Sequence, residues 1–179
     1  MADDDHAVAH LRLLRASSAA GWVDYGSYAL PCAIGPSGVR ARKREGDGVT
    51  PRALLPVRKV LYRADRVRRP RTCLPVRPIG PGDGWCDGRA DRNYNRFVHL
   101  PYAASAETLW RQDDLYDLIL VMGFNDIPRI RGQGSCIFMH IARPGLTPTE
   151  GCIALAYADL MRLIEARVPI RALDTRLAG

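Results

Sequence analysis

The stretch Cys136-Ile137-Phe138-Met139-His140-Ile141-Ala142 leads through a loop holding Pro144 and Pro148 into Thr149-Glu150-Gly151-Cys152-Ile153-Ala154-Leu155. The first segment is apolar apart from one histidine and contains neither Gly nor Pro, so it reads as a mostly buried strand. Successive side chains of a strand point to opposite faces. Cys136, Phe138 and His140 therefore share one face, and Ile137, Met139 and Ile141 the other. Cys152 opens a second short apolar segment, 12 positions after His140. A loop that folds back on itself sets Cys152 beside His140.

Working outward, strand-like runs dominate the chain. They fall at about 10–15, 20–24, 27–34, 57–63, 97–100, 116–123, 136–142 and 152–155, separated by turns such as Gly35-Pro36-Ser37-Gly38. Two helices are expected. One follows Ser105, a good N-cap, and runs to about Arg111. The other spans about Ala158 to Arg167, where Leu160, Leu163 and Ile164 recur at helical spacing. The expectation is a mainly β, single-domain protein with a few helices over residues 10–179, after a disordered segment at 1–9.

The chemistry suggested by His140 and Cys152 is nucleophilic. A free thiol with a pKa near ~8.5 is only slightly ionised at neutral pH. An imidazole within hydrogen-bond reach can take its proton. Gly151 can adopt backbone conformations closed to other residues, and it is expected to leave room for a substrate carbonyl near the amides of Gly151 and Cys152. Taken singly, a cysteine or a histidine in an apolar segment is more often a core residue. Arg143 follows the histidine strand and offers a guanidinium for a substrate carboxylate, with bracing of the loop as the alternative. Trp85, Tyr94 and Asn125 are further candidate substrate contacts, and for the two aromatics anchoring of a loop is the other reading.

Thr149-Glu150-Gly151-Cys152-Ile153-Ala154, preceded by His140, resembles the signature of the L,D-transpeptidases of bacterial cell walls, the YkuD-type domain. Lys43-Arg44-Glu45-Gly46-Asp47-Gly48-Val49-Thr50-Pro51, with Leu55-Pro56-Val57, is similar to a hairpin in the first half of these domains. Asp83-Gly84-Trp85-Cys86-Asp87, Asn93-Tyr94-Asn95 and Gly123-Phe124-Asn125-Asp126 resemble a compact bacterial subgroup. The resemblance covers about residues 25–172 and implies a mixed β-sandwich of the L,D-transpeptidase catalytic type. It implies Cys152 as nucleophile and His140 as proton acceptor and donor, with a main-chain carbonyl near Ile141 or Gly151 orienting the imidazole. It further implies release of D-Ala from a peptidoglycan tetrapeptide stem and transfer of the acyl group to an amine of another stem. Hydrolysis by water, an L,D-carboxypeptidase reaction, is the near alternative. A non-catalytic basic module binding cell-wall polymer or nucleic acid is the distant one. No metal and no organic cofactor is implied.

Composition bounds these readings. The chain has 179 residues, 47% apolar and 25% charged, which suits one globular domain. The net charge of +7 is carried almost wholly by arginine. The cluster Arg63, Arg66, Arg68, Arg69 and Arg71 suits an acidic polymer, but Pro70 and the absence of interleaved aromatics speak against base stacking, so no nucleic-acid partner is expected. The five cysteines form no Cys-x-x-Cys pair, and the four histidines do not cluster as metal ligands. No run approaches a membrane span, and the acidic Met1-Ala2-Asp3-Asp4-Asp5-His6 is followed by no apolar core, so no signal peptide is visible. The resemblance implies action in the cell envelope or periplasm, and the sequence leaves the cytoplasm open. A monomer is expected.

Overall fold

The computed structural model describes residues 7–13, 15 and 18–176. The strands are β1 (Val8–Leu13), β2 (Ala20–Tyr25), β3 (Tyr28–Ala33), β4 (Val39–Arg40), β5 (Thr50–Pro51), β6 (Leu54–Tyr62), β7 (Val76–Pro78), β8 (Asp83–Cys86), β9 (Arg96–His99), β10 (Ala106–Thr108), β11 (Leu118–Met122), β12 (Phe138–Ile141), β13 (Ile153–Leu155) and β14 (Ala172–Asp174). One α-helix, α1 (Tyr157–Ile164), follows β13.

The principal sheet runs β11-β12-β13-β3-β2-β1-β14-β6-β7, and β11 also pairs with β6. That last pairing closes the mixed sheet on itself through β6, with β7 attached as a flanking strand. The pairs β1–β14, β12–β13 and β6–β7 are parallel, and the other pairs of this sheet are antiparallel. Inside lies the larger core, with Leu11, Val23, Leu55, Leu120, Met139, Leu155 and the α1 residues Leu160, Leu163 and Ile164. The helix buries this stripe and stops at Glu165, a little short of the expected end at Arg167.

A second sheet, β10-β8-β9, lies outside the closed one. It encloses a smaller core in which Trp85, Leu109, Leu115 and Tyr116 meet Ile119, Val121 and Phe138. Strands β11 and β12 are thereby buried on both faces. This explains why their sequences are continuous apolar runs rather than alternating ones.

Two expectations need correction. The segment after Ser105 is not a helix. Ala106, Glu107 and Thr108 form β10 opposite Cys86, Trp85 and Gly84, while the Ser105 carbonyl accepts the amides of Asp87 and Gly88. Pairing has overridden a weak local preference. Within the N-terminal segment expected to be disordered, residues 1–6 lie outside the described residues, but Val8 and Ala9 belong to β1. They pair with Ala172 and Leu173, and Ala9 is fully buried.

Candidate active site

The site is built on β12 and β13, which pair in parallel with Met139 opposite Ile153 and His140 opposite Ala154. One step back along this register sets Cys152 beside Phe138. Cys152 and His140 thus occupy the same face of neighbouring strands on a diagonal. Strand spacing and rise place their Cβ atoms on the order of 8 Å apart. Both line one cavity of about 340 Å³, together with Cys136, Tyr116, Ala154, Arg143 and residues 147–150, and with Lys43, Asp87, Glu107 and Arg111.

The thiol is held between two backbone groups. The Phe138 amide donates to Sγ at 3.4 Å, and Sγ donates to the Cys136 carbonyl at 3.0 Å. Cys136 has φ +53, which turns that carbonyl toward the sulfur side. Burial pushes the Cys152 thiol up to about 12, opposed by the Phe138 amide and by the charge of Lys43. His140 is 7% exposed, and its Nδ1 lies 2.9 Å from the Ile141 carbonyl. That bond assigns the proton to Nδ1 and leaves Nε2 as the basic nitrogen. The Tyr116 ring packs edge-on against the imidazole, 5.4 Å between centroids. Burial lowers His140 to about 4, and Arg111 and Arg143 add to the effect while the Ile141 carbonyl opposes it. The resting pair is therefore neutral thiol and neutral imidazole. The thiol is less ionised than a free cysteine, not more.

The loop before Cys152 is fixed by two threonines. The Thr149 hydroxyl donates to the Cys152 carbonyl at 2.6 Å and accepts the Gly151 amide at 3.2 Å. Thr50, fully buried at the start of β5, accepts the Gly35 amide and donates to the Gly151 carbonyl, both at 3.0 Å. Gly151 has φ +125, which strongly favours glycine. A Cβ there would lie 2.6 Å from the Val49 carbonyl and 3.1 Å from Lys43 Nζ. The segment carrying Val49 is not the expected hairpin, since its flanking strands β4 and β5 pair in parallel; the glycine lets this segment approach the loop, rather than leaving room for a substrate carbonyl, and its amide is already engaged by Thr149. Lys43 is buried and paired with Asp47 at 2.9 Å.

The other expected contacts are dispersed. Arg143 is exposed and lines the cavity. Trp85, Tyr94 and Asn125 are not on its lining. Trp85 packs edge-on against Phe138 at 5.3 Å and donates Nε1–H to Asn95 at 2.9 Å. The Tyr94 hydroxyl donates to Glu45. Asn125 ties its own loop, donating to the Ile130 and Gly134 carbonyls and accepting the Ile130 amide. These three support the walls. Asn95, quoted in the sequence only as part of a motif and given no role there, is a further support: buried, it also accepts the Cys136 amide at 3.2 Å. The arginine cluster is largely paired, with Arg63 on Asp65, Arg66 on Asp117 and Arg68 on Glu165. Among the described residues no group of three metal-ligating side chains converges, and no helix is long and apolar enough to cross a membrane.

A cysteine and a histidine on adjacent strands of a closed β-domain, opening on one cavity, define a thiol–imidazole site. A family model described as YkuD, the L,D-transpeptidase catalytic domain, matches residues 16–169, and the chain belongs to that family. No curated protein and no solved structure gives a significant match.

Proposed function

We propose that this protein is a cysteine acyltransferase of peptidoglycan stem peptides, with Cys152 as nucleophile and His140 as base. Family membership supports chemistry on peptidoglycan. The observation that carries the residue assignment is the shared cavity face of Cys152 and His140, with Nε2 left basic by the Ile141 carbonyl.

Because the resting pair is neutral, the thiol loses its proton as it attacks and not before. Sγ bonds to the carbonyl carbon between the L-centre of the third stem residue and D-Ala, and its proton passes to Nε2. The imidazolium then protonates the departing D-Ala nitrogen as the C–N bond breaks, leaving a thioester. An amine of a second stem attacks this thioester, loses a proton to Nε2, and Sγ leaves and is reprotonated. Lys43, buried behind Gly151, favours negative charge on sulfur through its own charge. Of the two expected oxyanion donors, the Gly151 amide is held by Thr149, which leaves the Cys152 amide for this role.

Purified protein incubated with disaccharide-tetrapeptides and analysed by mass spectrometry tests this reading. A cross-linked dimer with free D-Ala is the expected product. Tripeptide with D-Ala would identify a carboxypeptidase, and unchanged substrate would refute acyl transfer.

A further inference from the structure

The cavity has a second wall whose polar groups take no part in the acylation chemistry above. It is formed by the outer sheet, where Glu107 on β10 pairs with Trp85 on β8, and Asp87 directly follows β8. Both side chains line the cavity that holds Cys152. Oδ1 of Asp87 is buried and has no hydrogen-bond partner among the described residues. A buried carboxylate oxygen without a donor is costly, so it calls for an occupant.

Two of the cations on the lining are committed elsewhere. Lys43 is paired with Asp47. Arg111 gives two 2.7 Å bonds to Asp113 and reaches Glu107 only at 3.4 Å. Burial pushes the Glu107 carboxyl up; the Tyr116 hydroxyl and the charge of Arg111 oppose this, and the charges of Asp87 and Glu150 add to the rise. An incoming cation with N–H donors would relieve Asp87 and Glu107 together. The acylated Cys152 has one kind of reactant that brings such a group, an acceptor carrying a primary ammonium.

We propose, resting on the acyl-enzyme reading of Cys152, that Glu107 and Asp87 form the ammonium-binding subsite for the acyl acceptor, so that this wall favours a charged amine over water. The carboxylates dock the ammonium by charge-assisted hydrogen bonds; one of its protons passes to the Glu107 carboxylate, the freed amine attacks the thioester carbonyl and gives its second proton to Nε2, and Sγ leaves and is reprotonated there while Glu107 returns its proton to solvent. Arg143, exposed on the same lining, carries the charge to meet an acceptor carboxylate.

The test follows the partition of the acyl-enzyme. A tetrapeptide donor is supplied with D-methionine, a charged amine, or with hydroxylamine, a nucleophile mostly uncharged at neutral pH. Intact-mass spectrometry monitors the acyl-enzyme, and chromatography measures aminolysis against hydrolysis. In Glu107→Gln, and independently in Asp87→Asn, the apparent KM for D-methionine rises on the order of tenfold or more, the loss of one charge-assisted bond. Partition toward hydroxylamine stays within about twofold of wild type by the same reasoning. An unchanged KM for D-methionine in both variants overturns the subsite, and so does an equal loss toward both nucleophiles, which marks a structural defect. If wild-type protein forms no acyl-enzyme at all, the proposed function fails and the subsite falls with it. Acyl-enzyme with unaltered partition refutes the subsite alone.

Discussion

Replacing Thr50 by valine removes one hydroxyl and little volume. That hydroxyl takes the Gly35 amide and gives its proton to the Gly151 carbonyl, both at 3.0 Å, and the residue is 0% exposed. Valine strands both backbone groups. At about 1–3 kcal/mol for each buried unpaired group, the loss is about 2–6 kcal/mol, a large part of the 5–15 kcal/mol typical of a domain. With a urea m-value of about 2 kcal/mol/M, the unfolding midpoint falls by about 1–3 M at unchanged m. Thr50→Ser keeps the hydroxyl and loses a methyl, so it costs only about 1 kcal/mol. Because the Gly151 carbonyl precedes Cys152 directly, the valine variant also loses turnover under conditions where it remains folded. A midpoint shift below about 0.3 M for valine, or serine as damaging as valine, would refute the idea that this hydroxyl ties β5 to the Cys152 loop.

The titration of the site gives two further predictions. His140 is held near 4 in the fold against an ordinary value of 6.5, so unfolded chains bind more protons between those values. Its contribution to stability is complete above about pH 6.5 and is lost as pH falls to about 4, amounting to about 3 kcal/mol. Subtracting the pH–stability curve of His140→Gln from that of wild type should show this slope, and a flat difference between pH 4 and 6.5 would contradict the burial account. Cys152, pushed up to about 12, should be alkylated by iodoacetamide at a rate that still climbs through pH 10; a plateau below pH 7 would reveal a resting thiolate–imidazolium pair instead.

The parts of the fold visible in the sequence are those buried on two faces. The runs at 116–123 and 136–142 are apolar because β11 and β12 separate two cores, so a pattern reading finds them readily. Helix α1 is legible for the opposite reason: Leu160, Leu163 and Ile164 make one stripe. Short strands such as β4, β5, β7 and β10, two or three residues long, carry too few residues for any period to show. Reading the segment after Ser105 as a helix hid Glu107, because its neighbours in the site come from β8, about twenty residues earlier, through pairing that local propensity does not encode. The Thr-x-Gly-Cys pattern is legible, but the reason for its glycine is not. That reason, close approach of the Val49 carbonyl, comes from a segment about a hundred residues away. Trp85 and Tyr94 illustrate the converse. Their aromatic character is evident in sequence, while the partners that turn them into wall supports, Asn95 and Glu45, emerge only in three dimensions.

The central claim is that Cys152 carries the acyl group and His140 moves its proton. The most direct measurement is intact-mass spectrometry of the protein quenched in acid during turnover of a tetrapeptide donor, with peptide mapping of any adduct. The account predicts a single adduct of donor mass less D-Ala, mapped to Cys152. It is absent in Cys152→Ala, which remains folded, and forms about 10²–10⁴-fold more slowly in His140→Ala. An adduct on Cys73 or Cys136, or wild-type turnover by the Cys152→Ala protein, would contradict it.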